Sequence, residues 1–194
     1  MDLKLLENNL TKHGFIVKFF ETPEEANDYL CSTIKNETIG IGGSQTIKQM
    51  GLHEKLAENN TVYWHWEDAE LEKAATANIY MSSVNGLSMN GEIINIDGTA
   101  NRISSIFYGH KKVYLILGVN KIAENYEAAL DRAKNIAAVN NAKRLNRDTP
   151  CVKLGKCVDC LSKDRICCGL SVLLHKPYGI SEYEVIIINK ELGF

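Results

Sequence analysis

Apolar positions along this chain follow helical and strand-like rhythms in turn, and their order predicts its elements. Leu3, Leu5, Leu6 and Leu10, set among Asp2, Lys4 and Glu7, outline an amphipathic helix that stops near His13-Gly14, with Gly14 at the left-handed position beyond its end. Phe15 to Phe20 is strand-like. Thr22-Pro23-Glu24-Glu25 then combines an N-cap, a first-turn proline and a capping-box glutamate, opening a helix to about Lys35. Thr38 to Ile41 reads as a short strand that breaks at Gly42-Gly43-Ser44 and resumes as a helical pattern through Ile47, Met50 and Leu56. Thr61 to His65 is a further strand, Asp68 to Thr76 a short helix with an acidic start, and Ile79 to Val84 another strand.

Asn90-Gly91, between that strand region and Glu92 to Ile96, carries hairpin-turn residues and predicts one antiparallel pair. A helix over Asn101 to Phe107 leads to the buried strand Val113 to Leu117. Tyr126, Ala129, Leu130, Ala133, Ile136 and Ala137 keep helical spacing within a helix from Glu124 to Val139. From Asn140 the texture turns polar and then cysteine-rich, before two last strands near Leu170 to Leu174 and Glu184 to Ile188. This alternation predicts an α/β fold, a Rossmann-like and mostly parallel sheet covered by helices on both faces, with the cysteine-rich residues 150–168 as an excursion.

Composition narrows the picture. The 194 residues, 45% hydrophobic and 24% charged, suffice for one substantial core, so a single domain over 1–194 is expected. With 22 basic and 24 acidic residues the net charge is -2, and no global field draws the chain to nucleic acid or a membrane surface. Its first ten residues lack the apolar core of a signal peptide, and no apolar run approaches the roughly 20 residues of a membrane span. A cytoplasmic protein is expected.

Ligands of parallel α/β sheets settle at the carboxyl ends of strands, and two loops fit that position. In Gly40 to Thr46, Gly42 and Gly43 let a ligand approach the backbone, and Ser44 and Thr46 add hydroxyls for a phosphate or carboxylate. The same residues also describe a plain tight turn with Ser44 as helix cap. The second loop, Asn95 to Arg102, gathers Asn95, Asp97, Gly98, Thr99, Asn101 and Arg102. Asp97 there suits a general base or a binder of ligand hydroxyls, Asn95 and Asn101 suit its orientation, and Arg102 suits an anionic group. The competing description is an Asx-turn and cap by Asp97 and Thr99, with Arg102 solvated. Ser83 and Asn85, ending the preceding strand, would face the same cleft. Trp64-His65-Trp66 fits a pocket, a core or a subunit contact, which leaves a homo-oligomer open, and His53, His110 and His175 fit surface or capping roles.

Five of six cysteines fall between Cys151 and Cys168. In a reducing compartment that clustering favours metal or redox chemistry over disulfides. Cys151, Cys157, Cys160 and Cys167 form C-x5-C-x2-C-x6-C, four soft donors that suit an iron–sulfur cluster or, alternatively, zinc, while free or redox-active thiols stay open. Lys153, Lys156, Lys163 and Arg165 would offset the charge of four thiolates. No role is evident for Cys168, and Cys31 reads as a small buried hydrophobe.

Gly42-Gly-Ser44, Thr76 to Val84, Gly91 to Thr99 followed by Asn101-Arg102, Asn141 to Leu145, and Pro150-Cys151 with the later cysteines together resemble the LUD (lactate-utilisation) family over nearly the whole chain. That family is similar to the ribose-5-phosphate isomerase, glucosamine-6-phosphate deaminase and CoA-transferase folds (NagB/RpiA/CoA-transferase-like), in which Gly40 to Thr46 resembles a phosphate-cradling loop and Asn95 to Thr99 a substrate-facing one. No clear equivalent of the group's catalytic lysine-glycine loop is visible. The resemblance implies a role in lactate or organic-acid utilisation, as an electron-transfer accessory or small-molecule-binding component with a cysteine-ligated metal. A small anionic metabolite and the subunits of a lactate-oxidation system are the partners it implies. The alternative is an isomerase-, hydrolase- or transferase-like enzyme on a phosphorylated sugar or acyl-CoA substrate, with Asp97 catalytic and the cysteines structural or free. A third option is a non-enzymatic subunit whose cysteine loop docks a partner.

Overall fold

A computed structural model describes residues 2–67 and 71–194. Six strands, β1 (Ile16–Phe20), β2 (Thr38–Ile41), β3 (Thr61–Trp64), β4 (Ile79–Ser82), β7 (Lys112–Gly118) and β10 (Glu182–Ile188), form one sheet in the order β1-β10-β7-β4-β2-β3 with every pairing parallel. Parallel strands covered on both faces need apolar side chains on both faces, which is why Lys-Val-Tyr-Leu-Ile-Leu-Gly and Glu-Tyr-Glu-Val-Ile-Ile-Ile lack polar alternation. Period-two geometry divides them cleanly. Tyr114, Ile116, Ile186 and Ile188 join one apolar core with Ile39, Ile41 and Trp64, whereas Val113, Leu115, Leu117, Val185 and Ile187 join a second with Leu6, Leu10 and Tyr183.

The helices are α1 (Leu3–Lys12), α2 (Pro23–Thr33), α3 (Gln45–Met50), α4 (Leu52–Ala57), α5 (Leu71–Ala75), α6 (Asn101–Phe107), α7 (Tyr126–Arg132), α8 (Ala138–Arg144) and α9 (Pro150–Leu154). Capping is as the sequence indicates: Gly14 is left-handed at φ +83°, and Thr22 Oγ1 accepts from the Glu25 N–H at 3.2 Å. Glu25 Oε2 in turn accepts from the N–H of Glu21, one residue before the cap. The helical pattern through Leu56 is two helices, because Gly51 at φ +60° ends α3 and starts α4 in a conformation that interrupts the helical ladder. The helix expected from Glu124 starts at Tyr126, widens into a π-turn at Ala133–Ala137 and continues in α8 to Arg144; Ile136 consequently turns outward, 46% exposed. The acidic start expected for α5 lies outside the described residues.

The predicted antiparallel pair belongs to a second sheet. β5 (Gly86–Ser88) and β6 (Ile93–Asp97) form the hairpin around Gly91, and β8 (Ile122–Ala123) and β9 (Gly169–Leu173) complete the order β8-β5-β6-β9. Leu87, Ile93 and Leu173 of this sheet share the apolar core of Leu115 and Val185, so the two sheets pack against common side chains. Among the described residues no helix is long and apolar enough to cross a membrane.

Candidate functional site

From β2 the chain passes outward to β3 and then returns to β4 on the other side of β2. Loops leaving β2 and β4 therefore diverge, and the crevice at their carboxyl ends is the topological switch point where doubly wound sheets bind ligands. A cleft of about 430 Å³ opens there. Gly43 and Ser44 enter it from β2, Ser83 and Asn85 from β4, Asp97, Gly98 and Thr99 from β6, and Asn101 and Arg102 from α6. Three residues expected in it are placed elsewhere. The Gly42 N–H already donates to the Met81 carbonyl at 2.9 Å, and a Cβ at Gly42 would stand 2.6 Å from Tyr80 Oη, so this glycine permits close strand packing. Thr46 is fully buried beneath the cleft. Asn95 is fully buried in β6 opposite Ser171, with neither its amide nor the Ser171 hydroxyl hydrogen-bonded.

Asp97 and Arg102 lock each other in place. Asp97 Oδ2 accepts from the N–H groups of Arg102 at 3.1 Å and Ile103 at 3.4 Å, capping α6, and lies 3.6 Å from Arg102 Nε. The Arg102 guanidinium is not solvated: it donates to the Ile96 carbonyl at 2.6 Å and to Asn85 Oδ1 at 3.2 Å. Ser44 similarly caps α3, its Oγ accepting from the Ile47 N–H at 3.2 Å.

The floor of the cleft is Lys121, just beyond the carboxyl end of β7. Its side chain is buried, and Nζ donates to Ser83 Oγ at 2.9 Å and Thr46 Oγ1 at 3.0 Å. Burial, followed by the nearby Arg132 and Arg102 charges, holds this amine well below the usual lysine range. Arg144, Arg147 and Arg165 bring the cations lining the cleft to five with Arg102 and Lys121, against a single side-chain carboxylate, that of Asp97, among the described residues. Arg165 is paired to Asp159 at 2.8 Å, whereas Lys121, Arg144 and Arg147 have no ion pair among the described residues. The Arg144 guanidinium lies 4.9 Å from the Trp66 ring centroid, and Asn141 Oδ1 accepts from its Nη2 at 2.8 Å. Trp64 stacks beneath Trp66 in the core, while His65 faces the cleft with its pKa pushed down by burial.

A match to the LUD domain model extends over residues 3–188. The chain belongs to the LUD-domain family. This LUD domain is also similar in structure to a DUF162 family protein from Deinococcus radiodurans, with a TM-score of 0.57 over 96% of this chain and 95% of that one at 13% sequence identity, a likeness of fold. No curated protein matches its sequence.

In the LUD domain the cysteine segment leans on the cleft. Cys151, Cys157, Cys160 and Cys167 line a separate cavity of about 20 Å³, which shares Ala138, Arg165 and Ile166 with the cleft, and Cys168 faces the cleft itself. Their soft donor chemistry fits a thiolate-bound metal. Even so, no group of three His, Cys, Asp or Glu side chains among the described residues is already gathered as for an ion. Burial pushes the Cys167 thiol up, and Arg165 partly offsets this.

Lys121, Arg144 and Arg147 are cleft cations to which the sequence gives no role, Arg165 is expected only to offset thiolate charge, and a pocket is one of three places open to His65. The sequence carries a signal for Lys121 in its position: Val119-Asn-Lys121 directly follows the largely apolar strand β7 and so lies at the same end of the sheet as the Gly40–Thr46 and Asn95–Arg102 loops.

Proposed function

We propose that this LUD domain binds a small organic anion, a hydroxy acid or a related carboxylate or phosphorylated metabolite, as a component of lactate or organic-acid utilisation. The carrying observation is Lys121: an amine buried at the cleft floor, hydrogen-bonded to the Ser83 and Thr46 hydroxyls and without an ion pair to a carboxylate among the described residues. A buried ammonium without a counter-ion is costly, and a ligand carboxylate or phosphate supplies one. Arg144 and Arg147 extend the same preference to the cleft wall. An electron-transfer accessory role would add to this binding function an iron–sulfur centre, or its zinc alternative would add a structural ion, at Cys151, Cys157, Cys160 and Cys167.

The second reading is an isomerase-, hydrolase- or transferase-like enzyme on a phosphorylated sugar or acyl-CoA, with Asp97 as base. Its support is that Asp97 lines the same cleft beside Asn101 and Arg102. The binding reading is favoured because Asp97 Oδ2 is committed to capping α6 and to Arg102.

A thermal-shift screen of 2-hydroxy acids, sugar phosphates and CoA esters tests both. A ligand at 100 times its dissociation constant stabilises the native state by about 2.7 kcal/mol. Stabilisation by an anion that Lys121→Met abolishes supports the binding reading. Turnover of a bound compound that Asp97→Asn removes, with binding retained, moves the case to the enzyme. A screen in which no anion stabilises the protein contradicts both.

A further inference from the structure

We infer that a thiolate-bound metal centre at Cys151, Cys157, Cys160 and Cys167 holds together the wall of the anion cleft formed by Arg165, Ile166 and Cys168. This rests on the reading of the cleft given above and adds a dependence of that cleft on metal.

The first support is a missing core. None of residues 150–168 is fully buried, and beyond the five-residue α9 the segment has neither helix nor strand until β9. Leu154, Val158 and Leu161 are 60%, 44% and 96% exposed, and the other large aliphatic residues of the segment, Val152 and Ile166, are only half-buried. A stretch that buries so little cannot offset the entropy of its own ordering. Yet the segment is tied into the fold. The Cys157 N–H donates to Asn135 Oδ1 at 2.8 Å and the Cys168 N–H to the Asp97 carbonyl at 2.9 Å, and Arg165 donates to the carbonyls of Cys160 and Cys167 at 2.6 and 2.9 Å. These bonds set the path of the chain without supplying a core.

The second support is convergence. Of the five cysteines in this region, the four in C-x5-C-x2-C-x6-C line one cavity, whose wall also holds Lys134 and Arg165. Four thiolates with a divalent ion, or with a cluster, carry net negative charge, and two cations in the cavity wall offset it. Metal binding draws the sulfurs inward from the walls they form and cross-links α9 to the end of the segment, which is the constraint the missing core leaves open. Arg165 lines both cavities, so a change at the thiolates is felt directly in the cleft.

The experiment uses the full chain purified without oxygen. Elemental and acid-labile sulfide analysis, with a visible spectrum, separates equimolar zinc from an iron–sulfur cluster; either supports the site, and protein free of zinc, iron and sulfide overturns it. Hydrogen exchange is then followed before and after chelator stripping, with Cys160→Ser as a second route to the metal-free state. Protection at the Cys157 and Cys168 amides is expected to fall by at least about tenfold, while β7 and β10 stay protected. Unchanged protection at those two amides overturns the inference even if metal is bound. L-lactate and inorganic phosphate are titrated into both forms. Weaker binding by the stripped form supports the coupling, and equal binding overturns it. Absence of binding by either form counts against the anion reading alone, because metal content and exchange decide the inference without it.

Discussion

Lys121 carries the chemistry of the cleft, and its proton is the most sensitive reporter of it. Its pKa in the folded state is lowered, chiefly by burial and then by Arg132 and Arg102, so below the ordinary value of 10.5 the unfolded chain binds the proton more tightly. Stability from this group therefore rises with pH through the window between the lowered pKa and 10.5. Anion binding acts in the opposite direction, because a negative ligand favours the ammonium. Binding should take up a proton and weaken as pH rises above the lowered pKa; calorimetric titration in two buffers of different ionisation enthalpy measures the uptake, and identical heats in both would contradict it. Lys121→Met removes a buried charge and should leave the fold intact while weakening anion binding by about tenfold or more, roughly 1.4 kcal/mol. Glu184 is the reverse case in the core. It is 4% exposed and accepts from the Tyr29 hydroxyl at 3.0 Å, and burial raises its pKa from 4.5. A raised carboxylate makes stability fall as pH climbs from 4.5 through the raised value. Glu184→Gln should consequently be more stable than the native chain at pH 8, with the gap closing at pH 4, as read by urea denaturation.

At the scale of elements, the boundaries legible in the sequence were those set by local chemistry. Thr22-Pro23 starts a helix because a hydroxyl accepts an orphan N–H and proline needs no donor, and both are properties of residues within one turn. The same holds for Gly14 after α1 and for α6, whose first residue is Asn101 as expected. What escaped were features decided by distant packing. The π-turn at Ala133–Ala137 lies in an alanine-rich stretch that fits an α-helix equally well, and Ile136 keeps helical spacing although it faces outward. The hairpin at Gly91 was legible as a pair, but its assignment to a second sheet depends on β9, more than seventy residues away in sequence. Gly42 illustrates the same limit: its need for hydrogen in place of a side chain comes from Tyr80, fixed by its stack on His110 at 4.8 Å. Gly42→Ala should cost about 1–3 kcal/mol in thermal or chemical unfolding, because neither ring yields easily; an unchanged melting curve would show that the strands have more room than these distances allow.

For the whole molecule, the order β1-β10-β7-β4-β2-β3 fixes where a ligand can enter, and the alternating α/β pattern of the sequence points to the same strand ends. The strand-end loops bring Ser44, Ser83, Asn85, Asp97, Asn101 and Arg102 to one cleft. The cationic character of the cleft was not legible, since a net charge of -2 conceals five local cations drawn from four distant stretches of chain. Lys121 in particular finds its hydrogen-bond partners in Thr46, 75 residues earlier, and Ser83, 38 residues earlier. The most direct test of an anion cleft is a pairwise calorimetric comparison of acids with their uncharged amides, such as L-lactate with lactamide, on the native chain and on Lys121→Met and Arg144→Ala. At least one small carboxylate or phosphate is expected to bind at one site per chain, its neutral analogue not to bind, and both variants to weaken it. Equal binding of acid and amide, or binding indifferent to both substitutions, would contradict the anion cleft.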